Sequence, residues 1–376
     1  MKTSSRKEGA QNAEPVKMKD SEPGQTPKIC KFEELKGQYK IMREIGRGSY
    51  GVVFKAVCTV DYDSDKGLEY YDRDEVEDDH DGIQRFAVKR IFPTINAPYI
   101  LIEMYILKYI KGHEFVTNLV AGYRQESQVS LVFEYQRSQS FLVFVESISQ
   151  DDIKCYLFQL LSAVKHLSDL GIVHRDIKPS NFLWDPKSRK GILIDFGLSE
   201  VETDENGEPI KNPENDLVQK IVDLQRKMSI KHRTGTKGYM PPETIFNSPN
   251  QGSKVDIWAV GVIMLSFLMR RHPIISLNNT SRVKNFTISN LLPLSIIYGS
   301  NEFKKVAHDN GYGILMPDDI PKERKPWYDL VNEDFKTDSD ALDLLDKMMK
   351  LSQDDRVTAE EALSHPYFDS LKSNFC

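Results

Sequence analysis

Two short runs hold most of the side chains that could do chemistry: His174-Arg175-Asp176-Ile177-Lys178-Pro179-Ser180-Asn181 and Asp195-Phe196-Gly197. In the first, Asp176 can accept or orient the proton of an attacking hydroxyl, and Lys178 can neutralise a phosphoryl group in transfer. Asn181 can offer its amide oxygen to a magnesium ion. Asp195 follows the strand-like Ile192-Leu193-Ile194 and adds a hard carboxylate oxygen for the same kind of metal.

Upstream, Gly46-Arg47-Gly48-Ser49-Tyr50-Gly51 spells G-x-G-x-x-G. That pattern also serves dinucleotide folds, but there a helix follows the glycines directly. Here Val52-Val53-Phe54-Lys55-Ala56-Val57 continues as a strand, the geometry of a flap over nucleotide phosphates. Lys89 closes the apolar strand pattern Phe86-Ala87-Val88, where an ammonium is costly unless it meets anions. Glu103, fourteen residues on and in a helix opened by Pro98, can supply one, and the phosphates of ATP another. Taken singly, each piece has a plainer explanation: a Gly-rich hairpin, a lysine lying along the surface, an ordinary turn. Their occurrence together and in this order argues against coincidence.

Such residues need a frame to bring them together. The chain has 376 residues, 40% apolar and 28% charged, which suits one bilobal unit or two domains and excludes collagenous, wholly disordered and disulfide-scaffold architectures. Its four cysteines are far apart and form no C-x-x-C pair, so neither a zinc site nor a disulfide framework is expected. A net charge of −6 gives no support to direct nucleic-acid binding. The longest apolar run, Trp258 to Met269, is bounded by Asp256 and Arg270 and is too short to span a membrane, so it predicts a buried core helix.

Residues 1–35 are poor in apolar side chains and predict a disordered tail. Strand patterns then lead through a hairpin about the glycines, a strand at Phe86 to Lys89, a helix from Pro98 and a strand from Val129 to Tyr135, giving a small lobe over about 36–135. Within it, residues 61–82 carry eleven acids against Lys66 and Arg73, net −9, so the rest of the chain carries +3 and the acidity belongs to one solvated insert. Lengthening a surface loop costs only about 0.6 kcal/mol per doubling, which the lobe can tolerate. Beyond Ser140 the texture is helical: Ile153, Leu157, Leu160, Leu161 and Val164 share one helix face. The larger lobe covers about 136–371, with polar inserts expected at about 202–230 and 277–335.

From about Tyr39 to Leu371 the chain resembles the eukaryotic protein kinase catalytic domain. Besides the motifs above, the likeness rests on Thr236 in Arg233-Thr234-Gly235-Thr236, Pro241-Pro242-Glu243, Asp256-Ile257-Trp258-Ala259-Val260-Gly261 and Arg356. Pro241 departs from the family's usual alanine. The resemblance implies an α+β fold of two lobes, the small one an antiparallel sheet plus one helix, the large one mainly helical. It implies ATP against Ile45, Gly46, Gly48, Gly51, Val53, Ala87, Lys89 and Glu103, Mg2+ on Asn181 and Asp195, and catalysis by Asp176 and Lys178. It also implies an ion pair between Glu243 and Arg356. Lys178 with Thr236 looks like the serine/threonine branch. Arg175 can bind a phosphate on the following segment, with Ser229, Thr234 or Thr236 in reach, or it can simply make a charge contact to the loop.

Finer features are similar to the cell division control protein 7 kinases: His174 to Leu183, Arg233 to Glu243, Ile296 to Pro321, and Ala341 to Phe368. The 48 residues from Asp195 to Glu243 agree with the long insert of that family. The likeness implies an activating regulatory subunit on the small lobe, serine or threonine targets on minichromosome maintenance helicase subunits, and a nuclear location. Neither nucleic acid nor membrane is an expected direct partner. Separately, Lys220 to Lys237 carries net +5, which is either a solvated basic loop or the source of a preference for acidic or phosphorylated residues beside the target. Two rival readings keep part of this picture. A pseudokinase scaffold would bind without catalysis, although Lys89, Asp176, Asn181 and Asp195 are all present. A cyclin-dependent or acid-directed casein-type kinase would share the chemistry, although Pro98 to Glu103 lacks the cyclin-binding pattern.

Overall fold

β-branched and aromatic runs in the first third of the chain pair into a single antiparallel sheet. Its strands are β1 (Tyr39–Arg47), β2 (Gly51–Cys58), β3 (Arg85–Ile91), β4 (Leu119–Gln125) and β5 (Gln128–Glu134), in the order β1-β2-β3-β5-β4. The structure is a computed structural model that describes residues 32, 35, 37–61, 83–228, 235–249, 251–271, 286–314 and 320–372. The Gly-rich hairpin joins β1 to β2, with Gly46 opposite Val53 and the Gly48 N–H donating to the Gly51 carbonyl at 3.0 Å. Gly51 is required by proximity: a Cβ there would stand 2.4 Å from the Arg90 carbonyl oxygen on β3. The helix α1 (Ala97–Tyr109) starts at a proline and buries Ile102, Glu103, Ile106 and Leu107.

A small core of Leu35, Ala56, Phe86, Val88 and Val132 holds this lobe together. Two of the residues expected in the tail therefore belong to the fold. Leu35 is fully buried, and Phe32 lies edge-on to Phe54 at 5.0 Å and beneath the Arg90 guanidinium at 4.6 Å. Isolated apolar residues in a polar stretch carry no periodicity that would mark them. The acidic run beyond residue 61 lies outside the described residues.

The large lobe is built around two helices. After the short α2 (Phe141–Phe144), α3 (Gln150–Asp169) is capped by Ser149, whose side chain accepts from the Asp152 N–H, and buries the apolar face read in the sequence. Two-residue strands β6 (Ile172–Val173) and β9 (Glu200–Val201) pair, as do β7 (Phe182–Asp185) and β8 (Lys190–Leu193). Further on come α4 (Asp216–Met228), α5 (Pro242–Ile245) and α6 (Lys254–Leu268), the last buried on all sides as its uninterrupted apolar run requires. The chain ends with α7 (Phe286–Asp309), α8 (Ser339–Met348), α9 (Ala359–Leu363), whose Thr358 and Glu361 form a capping box, and α10 (Asp369–Lys372). Among the described residues no helix is long and apolar enough to cross a membrane.

Both stretches expected as polar inserts contribute to the packing. In the first, α4 buries Val218, Ile221 and Val222 and leans on α1 and β9, while its charged side faces outward. In the second, Leu294, Tyr298, Phe303, Ala307, Trp327, Val331 and Phe335 join the main core. α7 breaks at Gly299, whose φ of +79° carries the chain past the Lys322 and Glu323 backbone; a Cβ would come within 2.5 Å of it. Residues 277–285 and 315–319 of that stretch lie outside the described set.

One ion pair joins the start of α5 to the loop before α9. Arg356 Nη1 meets Glu243 Oε1 at 2.8 Å with side-chain exposures of 0% and 5%, and the guanidinium also donates to the Lys350 and Lys254 carbonyls over the Trp258 ring. Replacing Arg356 by Met strands Glu243 in the interior. Urea unfolding of Arg356→Met should show a loss of about 3–5 kcal/mol, and a change under 1 kcal/mol would mean that water reaches the carboxylate.

Candidate active site

β3 delivers Lys89 and α1 delivers Glu103 to the same point. Lys89 Nζ stands 2.6 Å from Glu103 Oε1 and 2.8 Å from Asp195 Oδ1, so the ammonium is shared by two carboxylates from opposite lobes. Burial alone would lower the Lys89 pKa, but Glu103 and Asp195 raise it above the ordinary lysine value. Burial pushes Asp195 up, yet the charge and hydrogen bond of Lys89 outweigh it, helped by His174 and Lys178, and hold this carboxyl below its usual range. Burial lifts Glu103 instead, against the pull of Lys89.

Below the Gly-rich hairpin lies a cleft of about 460 Å3. All eight residues expected at a nucleotide, from Ile45 to Glu103, line it, together with Asp195. Other parts of the wall were not expected from the sequence, among them Thr117, the segment Glu134-Tyr135-Gln136 between the lobes, and Leu183 with Ile192 on the floor. The segment between the lobes is marked only by the end of a strand pattern. Leu183 and Ile192 face one another across the β7–β8 hairpin, a pairing invisible before the register is known.

Asp176, Lys178 and Asn181 cluster beside the cleft, tied to it by Ile194 N–H donating to the Asn181 carbonyl at 2.9 Å. Asp176 Oδ1 accepts from the Thr236 hydroxyl at 2.6 Å, and Oδ2 accepts from Lys178 Nζ at 2.8 Å and Asn181 Nδ2 at 3.0 Å. Lys178 also donates to Thr236 Oγ1 at 2.8 Å, and Asn181 Nδ2 to the Asp176 carbonyl at 2.8 Å. The carboxylate is thus held in one orientation, 7% exposed. With its amide nitrogen on Asp176, Asn181 has its oxygen to offer a hard cation, as has Asp195. Among the described residues no group of three or more His, Cys, Asp or Glu could hold a metal by itself. Two oxygen donors suit a magnesium ion that completes its shell with phosphate oxygens and water.

Asp256 was visible in the sequence only as part of a motif on a buried helix. From the first turn of α6 its carboxylate accepts the N–H groups of His174 at 2.7 Å and Arg175 at 2.9 Å. Arg175 has a φ of +66°, as does Asp195, in the left-handed region that costs non-glycine residues about 1–3 kcal/mol each. Burial raises the Asp256 pKa, while His174 and the two backbone donors oppose that shift. A charged residue at the start of a wholly apolar helix was the available signal. The basic run at 220–237 divides: Lys220, Arg226 and Lys227 sit on α4, where Arg226 pairs with Glu208 at 2.6 Å, Lys237 follows Thr236, and Lys231 and Arg233 lie outside the described residues.

The protein kinase domain family matches residues 39–368. Among characterised proteins, the chain is 32% identical over 358 residues to "Probable cell division control protein 7 homolog 2" of Encephalitozoon cuniculi, covering 90% of this chain and 93% of that one. It is 30% identical to the cell cycle protein kinase spo4 of Schizosaccharomyces pombe, covering 92% and 89%. To the cell cycle serine/threonine-protein kinase hsk1 of the same yeast it is 28% identical, covering 90% and 75%.

Because Asp256 closes two buried backbone donors, Asp256→Ala should lower the unfolding free energy by about 2–4 kcal/mol. Hydrogen exchange at the His174 and Arg175 amides should accelerate by the same free energy. Unchanged protection of those two amides would show that some other acceptor holds the turn.

Proposed function

The chain belongs to the protein kinase family and, within it, to the cell division control protein 7 kinases; on that premise we propose that it phosphorylates subunits of a minichromosome maintenance helicase in the nucleus, together with an activating subunit. It is an ATP-dependent protein serine/threonine kinase. The observation that carries the residue assignment is the pairing of two fixed groups: Lys89 bridged between Glu103 and Asp195, and Asp176 oriented by Thr236, Lys178 and Asn181.

In this reading ATP enters the cleft beneath the Gly46–Gly51 hairpin, its adenine between Ala87 and Leu183 and its phosphates toward Lys89. A magnesium ion, held by Asn181 and Asp195, would neutralise the phosphate oxygens. Asp176 orients the target hydroxyl and takes its proton as the oxygen attacks the γ-phosphorus, and Lys178 balances the charge that builds there. The products are ADP and a phosphoserine or phosphothreonine.

The helicase target, the nucleus and the activating subunit are supported by the family likeness. A regulatory subunit also has a surface to meet on the small lobe, where Tyr99 and Leu101 of α1 and Val120 of β4 are more than a third exposed. A partner seated there would bear on the helix that carries Glu103.

The test uses the full chain with whatever subunit co-purifies, magnesium, labelled ATP and the N-terminal tails of helicase subunits. Label should appear on serine and threonine, vanish with EDTA and fall on the order of 10³-fold in Asp176→Asn. Equal labelling by that variant would remove Asp176 from its role. Recovery of a cyclin, or of a solitary active chain, would refute the replication assignment while leaving the chemistry intact.

A further inference from the structure

Arg175 stands immediately before Asp176, and an arginine there is a natural receiver for a phosphate placed on the segment that follows Asp195. The structure gives this guanidinium other partners. Its Nη2 donates to the Glu200 carboxylate and, at 3.3 Å, to the Gln251 carbonyl, and its Nη1 donates to Gln251 Oε1 at 2.9 Å. The two charged side chains are 1% and 6% exposed. Of the hydroxyls expected to carry phosphate, Thr236 is engaged with Asp176 and Lys178, and Ser229 and Thr234 lie outside the described residues.

Glu200 is itself firmly placed. It lies on β9, directly opposite Val173 of β6, the residue that leads into His174 and Arg175. Its neighbour Val201 is bracketed by Gln225 of α4, which accepts from the Val201 N–H at 3.0 Å and donates to its carbonyl at 3.2 Å. Ser199 donates its hydroxyl to the His174 carbonyl at 3.2 Å. Gln251 is oriented in turn, accepting from Thr244 Oγ1 at 3.0 Å and donating to the Ser248 carbonyl at 2.7 Å. The contact therefore joins the residue before Asp176 to a residue five places after Asp195. That is the linkage between catalytic loop and metal-binding segment that an added phosphate would otherwise create.

We propose that Glu200 is a positioning residue that supplies this linkage permanently, so that the catalytic loop is set without phosphorylation of the segment between Asp195 and Glu243. A carboxylate offers guanidinium an oxygen acceptor with a full negative charge, the same kind of contact a phosphate offers. A phosphate arriving at Arg175 would meet that charge at contact range and would have to open a pair already closed to water. Glu200 does not line the cleft; it acts through Arg175 on Asp176.

The inference rests on phosphoryl transfer with Asp176 as base, and not on the identity of the target. It is tested on the full chain with its co-purifying subunit, using any serine substrate the wild type accepts. Wild type without turnover would overturn the chemistry itself, which separates the two failures. Phosphatase treatment, with loss of phosphate verified by intact mass, should leave wild-type kcat within twofold. Glu200→Gln should lower kcat about 10- to 100-fold with the KM for ATP within twofold, as misplacement of a reacting group does. Glu200→Asp, which keeps the charge, should recover most of the loss. Rates are expressed per molecule able to bind an ATP analogue, so unfolded protein does not count. A tenfold or greater loss on dephosphorylation, reversed on rephosphorylation, overturns the proposal, as does wild-type kcat in Glu200→Gln. Should Glu200→Gln fail to fold, the phosphatase arm on wild type decides alone.

Discussion

A single buried ammonium determines how the two lobes face one another. Lys89 comes from the sheet, Glu103 from α1, and Asp195 from the far side of the cleft. Lys89 and Glu103 are both buried, and neither is tolerable in that position alone, because an unpaired buried charge is far more costly than a paired one. The contacts therefore constrain the elements that carry them: α1 must sit close enough for Glu103 to reach, and the segment at Asp195 must turn upward. The same arrangement keeps Lys89 charged and Asp195 ionised at neutral pH, as a site for an anionic nucleotide and a divalent cation requires.

The turn at Asp195 and the turn at Arg175 are both strained, with φ near +66°. Strain of that kind persists only where the surroundings over-determine it. Asp256 supplies two acceptors beneath one turn, and His174 ties the two runs together through its ring contact with Phe196 and its approach to the Ile194 carbonyl at 3.1 Å. The residues proposed to do chemistry are few, and the turn before Asp176 is held from α6, a helix buried along its length from Val255 to Leu268. This explains why so apolar a helix begins with a carboxylate.

The side chains proposed for chemical roles stood out in the sequence because phosphoryl transfer demands particular residue types at short spacing. The eight residues expected around the cleft do line it, and the strand continuing from the glycines separated this hairpin from a dinucleotide turn. What escaped notice depends on register or on long-range packing. Leu183 and Ile192 meet only once β7 and β8 are paired, Glu200 is one acid among several near residue 200, and Gln251 looks like any loop glutamine. The two stretches read as polar inserts hide their buried residues for a different reason. Composition averaged over α4 is polar, but its Val218, Ile221 and Val222 fall on one face, and helical periodicity outweighs mean hydropathy where one side of a helix can be buried.

That buried face bears on how the site is held. α4 arises between Asp195 and Glu243, yet it packs on α1, the helix that must present Glu103, and its Gln225 clasps β9 next to Glu200. One amphipathic helix thus touches both structural supports of the site: the helix that completes the Lys89 pair and the strand that fixes Arg175. Displacing α4 would expose Val218, Ile221 and Val222, about 1.5–3 kcal/mol of apolar burial for each side chain, and would loosen both supports at once. A partner that bound α1 from the opposite side would compress α1 against α4. In this fold α4, carried on the connection after Asp195, packs against the helix that presents Glu103 and braces it from within the large lobe.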